Sequence, residues 1–170
     1  MSHNILILNV QAALGLAIVL IAFLRYARPR LDALSFNDAV LPLVLLQSFR
    51  FLGLTFIVDH QIADAIPRSA ATLVALGDFS AAIAAFLTVI AILMKSRFVK
   101  PLAWVLTVVG IGDLAAIGPI AISNRFFEEG IGAMWLTIGT FAPVIIVAHG
   151  YIVYRLLNPE PSSNGATQPA

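Results

Sequence analysis

The chain has 170 residues, 60% of them hydrophobic and 11% charged, where ordinary globular chains carry roughly a quarter charged. A fold of this size buries only about two-thirds of the surface its unfolded chain exposes, so a mean hydropathy of +0.95 requires lipid as the solvent for most of it. With a net charge of +1 and no cysteine, the composition excludes a nucleic-acid binder, a disulfide scaffold, thiolate-held zinc or iron–sulfur clusters, and a soluble dinucleotide-binding enzyme.

Five apolar segments follow in order, each near the roughly 20 residues that cross about 30 Å of hydrocarbon as helix. The first, about 5–24, exceeds the apolar core of a signal peptide and is followed by Arg25, Arg28 and Arg30 in place of a cleavage site, so it reads as a retained span. A polar separator containing Pro29 leads to the second, about 39–58, and one containing Pro67 leads to the third, about 69–94. Lys95, Arg97 and Lys100 stand before the fourth, about 102–122, and residues 123–130 before the fifth, about 131–157. Pro42, Pro119 and Pro143 interrupt spans two, four and five, where neighbouring helices or water satisfy the freed carbonyls. Residues 1–157 thus read as one five-transmembrane-helix bundle, all-α. Residues 158–170, with three prolines and almost nothing to bury, read as a disordered cytoplasmic tail. The runs are too long and too uniformly apolar for barrel strands of about ten alternating residues.

Orientation follows from Lys and Arg, which short cytoplasmic loops hold in excess. Arg25, Arg28, Arg30, Lys95, Arg97, Lys100 and Arg155 fall on one side, Arg68 and Arg125 on the other. The N-terminus is therefore expected outside and the C-terminus in the cytoplasm. Tyr26, Trp104, Tyr151 and Tyr154 at the inner boundary and Trp135 at the outer one agree, because amphipathic rings favour the headgroup level.

Three ionisable residues fall inside spans. At about 1.5 Å per residue, Arg50 lies roughly 17 Å from the inner boundary, Asp78 roughly 14 Å from the outer and Asp113 roughly 17 Å from the inner, all near the midplane. Isolated, they would cost about 8–10 kcal/mol on insertion scales, so they are expected to meet. Gln47, one turn before Arg50, is placed to help satisfy a guanidinium whose five donors one carboxylate cannot occupy. Asp78 follows Gly77 and Asp113 follows Gly112; both glycines admit a neighbouring helix, and the antiparallel pair reads as a weak inverted repeat. One arginine neutralises one aspartate, which makes the second a candidate proton-holding group. The bland counterpart is a structural knot that pins helices in register.

His149 falls roughly 27 Å from the outer edge, toward the cytoplasmic side, as an interhelical hydrogen-bonder or a step in a proton path leading inward. His60 lies in the outer loop, too far away to share a haem iron with it. That loop, with Asp59 and Asp64, reads as solvated, and neither a metal nor a cofactor is expected. No lysine lies within a span to form a retinal Schiff base, and P-loop, His-Glu-x-x-His and Gly-x-Ser-x-Gly motifs are absent.

The order Gln47-Ser48-Phe49-Arg50, Gly53, Pro67, Gly77-Asp78, Trp104, Gly110-Ile111-Gly112-Asp113-Leu114, Pro119 and Pro143 resembles a family of small bacterial multi-pass membrane proteins with no assigned function. The resemblance covers the chain from span two onward and implies a bacterial inner-membrane setting, with no substrate, reaction or site residue. The buried polar cluster of Gln47, Arg50, Asp78 and Asp113, with His149 as a further candidate, leaves three functions open. They are transport of a small solute or protons, a structural or accessory membrane subunit, and an enzyme acting on a lipophilic substrate. Five spans are few for a transporter, which leaves room for a homo-oligomer or a larger membrane complex, with Gly and Ala faces as contacts.

Overall fold

The computed structural model describes residues 2–158, and among them every regular element is helical. The expected disordered tail, apart from Asn158, lies outside the described residues. Five helices are long and apolar enough to cross a membrane: α1 (His3–Asp32), α2 (Phe36–Ile57), α3 (Arg68–Leu93), α4 (Val99–Ser123) and α5 (Met134–Leu157). A one-turn helix, Phe126–Glu129, stands in the last connection.

Local chemistry sets the ends. Ser2 and Ser35 cap α1 and α2, their hydroxyls accepting the N–H of Ile5 and of Asp38, each at 3.3 Å. The C-terminus of α3 closes with Ser96 N–H donating to the Ala91 carbonyl (2.9 Å) and Lys95 N–H to that of Ile92 (3.0 Å). This leaves Lys95 left-handed at φ 51°, where glycine is the usual residue. Helix α1 runs past the expected end at 24, through the basic separator. A wide turn over Phe23–Ala27, closed by Arg28 N–H on the Phe23 carbonyl, precedes Pro29, and proline is tolerated in the first turn of the helix that resumes. Pro42, Pro119 and Pro143 all sit inside their helices without ending them.

Helix α3 is central. Its buried face is rich in alanine (Ala71, Ala75, Ala81, Ala85), which lets α2 and α4 approach it from either side. Helix α1 is peripheral, resting mainly on α5, where a Cβ added to Gly15 would stand 3.1 Å from the Gly139 carbonyl oxygen. Only 6% of its most apolar window is buried, against 44% for α3, so almost all of its apolar surface faces outward. Two apolar cores fill the bundle. One contains Val40, Val44, Ala85, Ala103, Leu106 and Ile152; the other contains Phe56, Val74, Ala75, Phe126 and Ile131. Arg50 lies between them.

The basic end holds a second polar network. Tyr151 donates its hydroxyl to Asp32 (2.9 Å), and the Arg155 guanidinium donates to the carbonyls of Leu31 and Leu34, each at 3.0 Å. Arg155 and Tyr151, expected at the membrane boundary, are both buried. Arg155 closes off carbonyls at and just past the end of α1, which a helix end leaves without partners, and Tyr151 ties the Asp32 carboxylate to it.

Candidate functional site

Arg50 is positioned by a change of helical pitch. Helix α2 is α-helical over Phe36–Ser48 and 3-10 over Phe49–Ile57. With three residues per turn, side chains at i and i+3 eclipse, so Arg50, Gly53 and Phe56 line up on one buried face. The fully buried guanidinium then reaches three other helices. Its Nε donates to Asp78 Oδ1 on α3 (2.8 Å), its Nη2 to Asp113 Oδ2 on α4, and its Nη1 to the Gly110 carbonyl on α4 (3.2 Å). Nη1 also stands 3.4 Å from His149 Nε2 on α5.

Three glycines make this convergence possible. A Cβ on Gly53 would stand 2.5 Å from the Cβ of Asp78, one on Gly77 would collide with the Asp113 carboxylate, and one on Gly110 with the His149 ring. Each of these side chains is thus seated on a glycine of another helix. Gly112, expected to serve α4 as Gly77 serves α3, meets nothing within 4 Å. The Gly-Asp pairs are therefore not equivalent, and the inverted-repeat reading fails at that position. Nothing in the sequence marks Gly53 and Gly110 as seats, because their partners lie in other helices, at sequence separations that no motif spans.

Gln47 does not reach the guanidinium. Its Nε2 donates to the Ile145 carbonyl on α5 at 3.1 Å. His149, expected toward the cytoplasmic side and named as a further member of the cluster, stands in contact with Arg50. Side chains on a helix tilt toward its N-terminus, so the long Arg50 side chain descends toward the histidine. Gln47 Oε1, Thr107 Oγ1 and His149 Nδ1 are buried and find no hydrogen-bond partner among the described residues.

Two openings meet the cluster. A cavity of about 90 Å³ between α2, α4 and α5 is floored by Arg50 and Asp78 and walled by Phe49, Phe56 and Phe141. A groove of about 450 Å³ between α3 and α4 is lined by Gly77, Ser80, Gly112 and Asp113. Side-chain exposure follows: none for Arg50, 16% for Asp78 and 8% for Asp113. Each carboxylate has its own opening, and the guanidinium lies between them.

These features define a class: an all-helical bundle with five helices long and apolar enough to cross a membrane, four of them joined through one buried arginine. Residues 7–157 match the family model described as Domain of unknown function (DUF8737), and the chain belongs to that family. Comparison with curated proteins and with solved structures finds no match.

Proposed function

We infer that the protein is a multi-pass protein of a bacterial inner membrane, N-terminus outside and C-terminus in the cytoplasm. Its midplane cluster takes up and releases a proton in moving a small solute or protons. The observation that carries this reading is the arrangement of two aspartates on one guanidinium, each with its own opening. One of the two carboxylates has no cation of its own, and a proton taken up there leaves the cluster neutral. Ionisable groups at membrane depth are costly to keep and are associated with such tasks. The outward apolar face of α1 and the clustering of Lys and Arg at one end support the membrane setting and the orientation.

Reconstituted into proteoliposomes with a pH-sensitive dye inside, the protein is expected to pass protons under an imposed gradient. Asp78→Asn and Asp113→Asn are expected to lower that flux about tenfold or more while eluting as folded protein. Wild-type liposomes no leakier than protein-free ones would defeat the reading.

The use made of Arg50 favours a second reading. Its donors bind α3 and α4 and face α5 while its backbone belongs to α2, which is the pattern of a clamp that holds helices in register. Under that reading the aspartate variants lose folded protein, and flux is absent from the wild type.

A further inference from the structure

The cluster contains one guanidinium and two carboxylates, and at its depth any species that restores neutrality is favoured. A proton does this. So does a bound monocation, and the cavity beside Asp78 narrows which kind.

We propose that this cavity binds a small alkylated ammonium ion, which competes with the proton for the uncompensated carboxylate. The proposal rests on the proton-binding reading of the cluster and adds a ligand class to it. Size comes first: at about 90 Å³ the cavity is well below the roughly 300–1,000 Å³ of pockets that enclose drug-sized ligands, so it takes no more than a compact head group. The wall comes next. Phe49, Phe56 and Phe141 bring aromatic surface to the cavity, and ring faces attract cations, most of all alkylated ammonium groups caged by several rings. The counter-charge is Asp78, the most exposed charged member of the cluster, which gives Oδ1 to Arg50.

The scarcity of acceptors discriminates among cations. Besides Asp78, the polar side chains lining the cavity are Arg50, which only donates, and Thr137. A calcium ion takes about six to eight oxygen ligands, and a primary ammonium brings three N–H donors that each need an acceptor. A quaternary ammonium has no N–H to satisfy and asks only for a counter-charge and polarisable walls. An anion would meet a guanidinium already engaged by two carboxylates and the Gly110 carbonyl.

Competition with the proton follows from the charge count of Arg50, Asp78, Asp113 and His149. The histidine ring faces Arg50 from α5, so a proton on it acts in the same direction as one on a carboxylate. Protonation of either carboxylate makes the cluster neutral and removes the attraction for a cation. Asp113 does not line the cavity, yet its charge belongs to the same balance, so its loss acts on the ligand without touching it.

The test uses the full chain in lipid nanodiscs, with choline and its uncharged carbon isostere 3,3-dimethylbutan-1-ol as probes, read by titration calorimetry. Choline is expected to bind about tenfold or more tightly than the isostere, because the two differ only in charge, and its affinity is expected to rise with pH. Asp78→Asn and Asp113→Asn are each expected to weaken choline about tenfold or more, and Phe141→Leu several-fold. Absence of choline binding by the wild type, equal binding of the isostere, or full choline affinity in folded Asp113→Asn would overturn the proposal. Aspartate-dependent proton flux without choline binding would leave the proton reading standing and remove this one; absence of both would remove both.

Discussion

Asp78, Asp113 and His149 each press on a glycine of another helix, and the reach of Arg50 depends on those three close approaches. A methyl group at Gly53 or Gly77 would collide with a carboxylate that Arg50 holds, and retreat into the opening beside it would break that ion pair. Gly53→Ala and Gly77→Ala are therefore expected to lower stability by about 1–3 kcal/mol, the usual cost of overpacking. Gly112→Ala is the internal control: it gains the backbone propensity of alanine and meets nothing within 4 Å, so it is expected to raise stability by about 0.5–1 kcal/mol. Thermal unfolding in detergent, followed by size exclusion, ranks the three, and equal effects at all three positions would remove the seating argument. The charges couple just as locally. Arg50→Met alone strands two carboxylates and is expected to cost about 3–5 kcal/mol, whereas Arg50→Met combined with Asp78→Asn and Asp113→Asn is expected to recover most of that loss.

Helix α2 illustrates what an element-level sequence reading captures and what it does not. Span lengths were legible because twenty apolar residues in a row leave little choice, and the shared depth of Arg50, Asp78 and Asp113 follows from a constant rise per residue. The change of pitch at Phe49 was not legible, because α and 3-10 helices draw on the same apolar residues and differ only in which carbonyl each N–H selects. Yet that change aligns Arg50, Gly53 and Phe56 on one buried face, while Gln47, still in the α-helical part, donates to the Ile145 carbonyl on α5. Helix ends carry a similar hidden term. Lys95 holds a left-handed conformation at φ 51° that costs a residue with a Cβ about 1–2 kcal/mol. Lys95→Gly is expected to raise stability by about 1 kcal/mol, read as a higher unfolding midpoint in detergent. An unchanged midpoint would mean that the turn relaxes without strain.

At the scale of the molecule, the orientation rests on charge placement, and burial revises that count. Arg155 is a buried cap on the Leu31 and Leu34 carbonyls, so its position answers to packing and no longer reports on the membrane. Arg25, Arg28, Arg30, Lys95, Arg97 and Lys100 still face Arg68 and Arg125 across the bundle, and the bias keeps its direction. Sequence alone could not make this distinction, since an arginine at a span boundary and one folded back over a neighbouring helix end have the same hydropathy. A chain without cysteine allows a direct test, because any thiol introduced is the only one. His60 and Arg97 are exposed in connections at opposite ends of α2–α3 and α3–α4. With the N-terminus outside, His60→Cys is expected to react with a membrane-impermeant maleimide on intact cells, and Arg97→Cys only after the membrane is permeabilised. The opposite labelling pattern would invert the topology. Labelling of both sites on intact cells would mean that the charge bias does not set one orientation.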